Sequence, residues 1–455
     1  VYLAAFTSLA GQIRGLMGSQ GIVPVERVLQ ILTEKNGGPA YWGLPSLLWW
    51  WHTDAALTAI CWAGAALSVV LLLDRAVAPV LALLWGLYLS LVSVGFPFLH
   101  YQWDMLLLET GFLAIVLGMA APSGGRFVPP RLLSWTFRLL LFRLMFASGV
   151  VKWQSQDPTW RSLTALQYHY ETQPLPTWIA WYLNQLPEWA QKASCAVTFI
   201  VEWALPWALF LGRRARQVAV AGFAALQVLI LLSGNYGFFN YLTLALCLWG
   251  LDDEALPVAV RRLAARLGRV ALPIAGLLRA SAGIAAVLAT AGLLSLAGQL
   301  GRFDLPTPLS GLVEITERWN LVNGYGLFAV MTTERDEIEI EGSRDGQQWV
   351  AYPFRWKPQG LDRRPAFVAP HMPRLDWQMW FAALSPRSAA FWFSELVARL
   401  RDGSPDVLTL FAANPFPGTP PQFLRARWYR YHFTRRGDRP ARDWWTREPL
   451  GDFPP

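Results

Sequence analysis

Charge is what this chain has least of: only 15% of its 455 residues are Asp, Glu, Lys or Arg, against about 25% in an ordinary soluble domain. Together with 54% hydrophobic residues and a mean hydropathy of +0.29, the deficit excludes a wholly soluble architecture. It divides the chain into a membrane part and a smaller polar part. Lysine is scarcer still, with four (Lys35, Lys152, Lys192 and Lys357) among 39 basic residues, a bias that fits a GC-rich genome and hence a bacterium. The three cysteines, Cys61, Cys195 and Cys247, lie in or beside apolar runs, and the polar region has none. Disulfide exchange is thereby excluded and buried free thiols are expected. The usual catalytic vocabulary is missing as well: no HExxH, no GxSxG, no phosphate-binding loop and no dinucleotide fingerprint. No histidine has a neighbour at metal-ligand spacing, so neither a metal nor a cofactor is expected. The net charge of +8 is dispersed as short basic clusters between apolar runs. That is the pattern of membrane-protein loops, and no groove-reading motif accompanies it, so the bilayer is the expected partner and nucleic acid is not.

What the chain does have is long apolar runs. A spanning helix needs about 20 such residues, and candidates occur at approximately 55–73, 77–95, 104–120, 132–152, 194–212, 215–233, 237–250 and 271–299. The run at 237–250 is short enough to be re-entrant, and the opening "VYLAAFTSLAGQI" reads as the end of another span. Arg126 and Arg131, "RRAR" at 213–216 and "RRLAARLGR" at 261–269 fall on one side of an alternating count, and that side is cytoplasmic by the positive-inside rule. The expected architecture is a polytopic α-helical membrane protein of about 8–9 spans, counted at about 20 residues each. A C-terminal β-rich or α+β extracytoplasmic domain follows. Residues 1–300 form the helical domain, with large external loops at 11–54 and 153–193, and residues 301–455 the external domain.

Ionisable residues at membrane depth are costly and mark functional or structural sites. "HYQWDMLLLETGFLAI" (100–115) carries Asp104 and Glu109, "WTFRLLLFRLMFASGVVKW" (135–153) carries Arg138, Arg143 and Lys152, and the next span carries Glu202. Arg138 and Arg143 are five apart, about 140° around a helix, so they face different partners. Glu109 and Arg143 suit an interhelical ion pair. Lys152, beside Trp153, either snorkels to the interface or, if desolvated, serves as a base, with Asp104, Glu109, Arg143 and His169 lining an outward-facing cavity.

Beyond Gly301 the pattern turns charged and aromatic. "EIEIEG" (337–342) alternates with period two, as a half-exposed strand does. The Asp-Gly of "RDGQQWVAYPFRW" marks a hairpin turn, and a strand is expected over 323–332 ("NGYGLFAVMT"). "WQMWFAALS" reads as a short helix and 388–401 as an amphipathic one. Trp377, Trp380 and Phe381 cluster beside His371, Arg374 and Asp376. They either bury against the membrane domain or form a contact platform for a partner. In the 153–193 loop, "YHYETQPLP" (168–176) reads as a proline-bent, hydrogen-bonded external element. Trp160, Arg161, Tyr168, His169, Tyr170, Glu171, Gln173 and Pro174 hold it in place or present a contact surface.

Several long blocks resemble the lipase maturation factor family: "GLMGSQGIVP" (15–24), "LHYQWDMLLLETGFLAI" (99–115), "WRSLTALQYHYETQPLPTWIAWYLNQLP" (160–187), "NGYGLFAVMTTERDEIEIEGSRDGQQW" (323–349) and "RRPAFVAPHMPRLDWQMWFAAL" (363–384). The resemblance covers nearly the whole chain. It implies a multi-pass membrane protein, of the endoplasmic reticulum in eukaryotes and of the cytoplasmic membrane in a bacterium, that helps secreted clients such as lipases reach an active fold. The large loop and C-terminal domain are then the client-facing parts. A shorter stretch, Phe146 to Lys152 followed by Trp160, is similar to a motif of the vitamin-K-dependent carboxylases, where the lysine acts as a base. Ser148-Gly149 here replaces the Ala-Gly of that motif. That similarity implies the alternative function, a membrane enzyme using Lys152 on a lipid, quinone or polypeptide.

Overall fold

The computed structural model describes residues 1–38, 40–74, 76–120, 127–267, 274–301, 306–437 and 443–453. Arg126, Arg269 and the first three residues of the 271–299 run lie outside the described residues. Among the described residues, seven helices are long and apolar enough to cross a membrane: Asp54–Leu71, Val77–Val94, Gln102–Ala120, Arg131–Gln154, Glu188–Phe210, Arg213–Ser233 and Ala275–Leu300. They are the first to seventh spans below. The expected eighth run is a shorter apolar element, Phe239–Gly250, and the N-terminal run is the Tyr2–Ala10 helix packed on the first span. The chain is a multi-pass membrane protein.

Helix ends follow local chemistry. Thr53 caps the first span through its hydroxyl, which accepts from the Ala56 N–H. Pro206 has no N–H to give the carbonyl of Glu202, four residues earlier. There the fifth span widens to π geometry over Ile200–Ala204 and tightens to 3-10 geometry over Leu205–Phe210. Exposed tryptophans stand toward the two ends of the bundle, Trp50, Trp51 and Trp153 at one and Trp135 at the other, as interfacial side chains do.

The two faces of the bundle differ in kind. At one, Arg216 meets Asp252 at 2.7 Å, Arg213 pairs with Glu254, and Arg138 donates to the Trp249 carbonyl. At the other, the C-terminal part covers the helix ends. It is a four-stranded antiparallel sheet in the order β2-β1-β3-β4, with β1 Arg335–Ser343, β2 Val350–Ala351, β3 Phe423–Phe433 and β4 Trp445–Asp452. Helices Arg374–Leu384 and Pro386–Arg401 pack beside it. The β1–β2 connection turns at Asp345-Gly346, where Gly346 takes φ +75° and the Asp345 carboxylate accepts from the Gln347 and Gln348 N–H groups.

Residues 323–332, expected as a strand, form none. Their polar groups are used instead to close over the bundle: the Asn323 N–H donates to Glu109, the Gly326 N–H to Gln102 and the Met331 N–H to Asp157. A second correction concerns "YHYETQPLP". Ala165–Thr172 is helical, so Tyr168, His169, Tyr170 and Glu171 sit on a helix. Pro174 and Pro176 end it rather than forbid it. A proline disturbs residues just before it, and Gln173 is already extended, with ψ 152°.

Close helix packing is set by glycine. A Cβ on Gly292 in the seventh span would lie 2.8 Å from the Arg143 guanidinium, whereas one on Gly298 would meet nothing within 4 Å. Gly292→Ala is therefore expected to cost about 1–3 kcal/mol through overpacking. Gly298→Ala should gain a few tenths from helix propensity, up to about 1 kcal/mol. Paired thermal unfolding of the two variants in detergent checks the contrast, and equal midpoints would refute it.

Candidate functional site

The ionisable groups at membrane depth resolve into three separate buried constellations. The first joins the third span to the C-terminal part. Arg374 grips both oxygens of Asp104 (Nη1–Oδ2 2.6 Å, Nη2–Oδ1 2.8 Å), and its Nη1 also donates to the Phe98 carbonyl at 2.9 Å. The Tyr88 hydroxyl donates to Asp104 Oδ1 at 2.5 Å. The second pairs Glu109 with Arg143 at 2.6 Å, the expected interhelical ion pair. Glu109 Oε2 also accepts from the Asn323 N–H and the Tyr325 hydroxyl, while Arg143 donates to the Asn323 carbonyl. Both constellations fix the C-terminal part on the bundle. None of Asp104, Glu109 and Arg143 lines the cavity beside Lys152, so they do not assemble around it.

The third constellation does border open space. Gly149 lets the fourth span approach the widened turn of the fifth, since a Cβ there would stand 3.1 Å from Glu202. One turn further on, Lys152 Nζ meets Glu202 Oε2 at 2.7 Å and the Ser148 carbonyl at 3.2 Å. Both side chains are buried. The Trp160 ring faces Nζ at 5.4 Å and is pinned by its indole N–H on the Phe328 carbonyl at 2.9 Å. Next to this pair lies a cavity of about 350 Å³, bordered by the fourth, fifth and sixth spans and by the Ala165–Thr172 helix that carries His169 and Tyr170. His169 shows part of its ring to the cavity. Its Nδ1 is nevertheless buried without a hydrogen-bond partner, and Nε2 lies 3.4 Å from the Tyr236 hydroxyl. A base role for Lys152 would first require the pair with Glu202 to open. Glu202 is thus the group that completes the site. Its position in an apolar span was legible, but its pairing with Lys152 was not.

The expected client platform is turned inward. Trp377 donates to the Asn235 carbonyl, Trp380 to the Thr172 carbonyl, and both rings are buried. Asp376 is buried, accepting from the Trp356 and Lys357 N–H groups at 2.8 Å each, and so shapes that turn. His371 touches the Ser8 hydroxyl at 2.9 Å, and of the six residues only Phe381 is exposed. The apolar faces of these aromatics find more surface to bury against the bundle than solvent would allow them to keep.

The helix-and-turn segment from Trp160 to Pro174 is the seam between bundle and sheet. Arg335, fully buried, donates to the carbonyls of Glu171 (2.7 Å), Gln173 (2.5 Å) and Pro174 (2.9 Å). The Glu171 carboxylate takes His432 Nδ1 at 3.0 Å and the Phe433 N–H at 2.9 Å. Gln173 bridges the Ser233 carbonyl and the Tyr236 hydroxyl. Tyr168 packs in the small cluster around Trp160 and Cys195, and Arg161 lies exposed over the Trp153 ring.

Histidine titration gives this assembly a predicted pH dependence. Burial, with the Lys152 charge adding to it, lowers His169 to about 4. Burial, with Arg374 and Arg355 adding, does the same to His371. Unfolded histidine titrates near 6.5, so both groups take up protons on unfolding. Stability is then lost as pH falls from about 6.5 toward 4. His432 has the opposite sign: its hydrogen bond to Glu171 raises it, so its contribution is present below about 6.5 and fades as pH rises through its folded value. With His100 also lowered by burial, three depressed groups against one half-exposed raised group should lower the unfolding midpoint at about pH 5 relative to about pH 7.5. The pair His169→Asn and His371→Asn should shrink that difference, and a midpoint higher at the acid pH would contradict this account.

With this geometry in hand, comparison with known proteins is informative. A family model for the lipase maturation factor transmembrane domain matches residues 1–258, and one for the lipase maturation factor C-terminal domain matches residues 321–455. Lipase maturation factor 2 of Mus musculus is 38% identical over all of this chain and 81% of its own length. The Xenopus laevis protein of the same name is 35% identical over all of this chain and 80% of its own length. Lipase maturation factor 1 of Bos taurus is 35% identical, again over all of this chain and over 86% of that protein. No solved structure matches.

Proposed function

Because the chain belongs to the lipase maturation factor family through both its membrane and its C-terminal part, we propose that it is a maturation or assembly factor for exported lipases. The observation that carries the reading is that similarity extends through both parts together. It works from the extracytoplasmic face of a membrane, the cytoplasmic membrane in a bacterium. What supports this sidedness is that Arg131, Arg213, Arg214, Arg216, Arg261 and Arg262 cluster at the bundle ends opposite those covered by residues 306–453.

Client recognition on this reading is non-covalent shielding of apolar surface and involves no cofactor or metal. The buried Trp377 and Trp380 stabilise the platform, and contact falls to apolar side chains that stay exposed on the same part: Phe381, Leu384 and Phe391, with Phe96 stacked on Phe391 at 5.9 Å between ring centroids. Replacing the more exposed Phe96 and Phe391 together with Phe381 by serine should leave membrane insertion intact and the protein folded, with a modestly lowered unfolding midpoint because Phe381 also packs on Tyr101 and Trp380. It should also lower the yield of active secreted lipase in a co-expressing cell at least several-fold, with loss of lipase co-purification. Full lipase yield from a stable triple variant would remove this surface from consideration. Wild-type protein that never alters lipase yield would remove the function.

A further inference from the structure

Beyond the maturation role, we infer that the cavity beside Lys152 and Glu202 is a binding site for an uncharged, hydroxyl-bearing lipid of the acylglycerol class, taken from the leaflet on the side of the C-terminal part. Its volume of about 350 Å³ lies within the about 300–1,000 Å³ typical of small-molecule sites. Its walls are mostly Leu, Ile, Val, Met and Phe side chains.

Lys152 and Glu202 stand partway along the cavity wall, between the deeper Leu144 and Met145 and the outer Leu166, Leu183 and Leu186. Lys152 stands two residues before the fourth span ends at Gln154, level with the exposed interfacial Trp153. Leu144 and Met145 line the cavity about 10–12 Å deeper along the same helix, at 1.5 Å per residue. Head at the interface and tail in the hydrocarbon is the orientation of a bilayer lipid. The route is lateral. Val197 of the fifth span and Leu229 of the sixth both line the cavity, yet they are 54% and 57% exposed on the outer surface of the bundle. Its edge therefore opens on the apolar outer surface of the bundle.

The head group follows from charge. Lys152 and Glu202 cancel at 2.7 Å. An anionic head would be opposed by Glu202 and a cationic one by Lys152, and either would have to break a buried pair. An uncharged hydroxyl can do both tasks at once, accepting from Lys152 and donating to Glu202. Lys152 has three N–H donors and uses two, on Glu202 and on the Ser148 carbonyl. The Tyr236 hydroxyl and the exposed part of the His169 ring line the same cavity.

The test uses the full-length protein in phosphatidylcholine nanodiscs with a photoreactive diacylglycerol as probe. Crosslinks are expected in peptides covering 144–152, 194–202 and 226–236, competed by unlabelled diacylglycerol and not by phosphatidylglycerol. Leu226→Trp, which fills the cavity, should cut labelling at least tenfold. The pair Lys152→Met with Glu202→Met, which removes both charges together, should cut it severalfold, with thermal unfolding verifying that each variant folds. Should the double variant fail to fold, Leu226→Trp decides alone. Undiminished labelling in a folded Leu226→Trp protein overturns the site. Equal competition by phosphatidylglycerol overturns the uncharged head.

Discussion

Arg374→Met is expected to lower stability by about 3–5 kcal/mol, the cost of stranding one member of a buried ion pair. Asp104 is wholly buried in the third span, and its two oxygens take the Arg374 fork at 2.6 and 2.8 Å. A planar guanidinium supplies that bidentate geometry and a lysine ammonium does not, so Arg374→Lys should recover only part of the loss. The consequence is larger than one contact because of where Arg374 sits. Its own N–H donates to Gln12, and the neighbouring Met372 N–H donates to Ser8. One short segment thus ties the C-terminal part to the N-terminal helix and to the second and third spans. Thermal unfolding in detergent should show a lowered midpoint together with faster proteolysis of the C-terminal part. The pair Asp104→Leu with Arg374→Met should recover most of the loss, since a buried ion pair replaced whole by apolar residues is often neutral. An unchanged midpoint in the single variant would mean that the pair is not what fastens the two parts.

How much of this could be read from the sequence depended on the range of the interaction. Spans were legible because an apolar run of about 20 residues has few alternatives. The Pro386–Arg401 helix was legible from its amphipathic period, and the β1–β2 turn from Asp345-Gly346. Strand β3 escaped notice although "FLRARWYRYHF" alternates. Most of its residues are half-buried in both phases of the alternation, so no clean contrast between an inner and an outer face marks it. The Ala165–Thr172 helix was hidden by the prolines that follow it. Of the buried charges, only the Glu109–Arg143 pairing was legible, from two opposite charges on neighbouring spans; the other partners were not. Asp104 and Arg374 are 270 residues apart, and Glu109 and Tyr325 are 216 apart. Nothing in local spacing distinguishes a lysine that snorkels from one that meets a glutamate on the next span. Trp377 and Trp380 illustrate the same limit: an aromatic cluster looks alike whether it faces a client or its own bundle.

The second large effect is expected at the seam, where Arg335→Met should cost on the order of 4 kcal/mol, from buried carbonyls left without donors at about 1–3 kcal/mol each. Arg335 serves the carbonyls of Glu171, Gln173 and Pro174 and the carboxylate of Glu337 at 2.6 Å. Glu337 retains Lys357 at 2.8 Å, so its charge stays paired and the damage concentrates on the three carbonyls. That makes the outcome local and distinguishable from the loss of Arg374. Hydrogen exchange should quicken in residues 168–176 and along β1 and β3, while the Asp104 region of the third span keeps its protection. The same segment carries His169 and closes one wall of the cavity, so loosening it should also weaken diacylglycerol labelling without altering the Lys152–Glu202 pair itself. If exchange instead rose uniformly through the bundle, the seam would not be a separate cooperative unit. Sheet and spans would then unfold together, and the lipid site would depend on the whole fold rather than on the turn that "YHYETQPLP" makes.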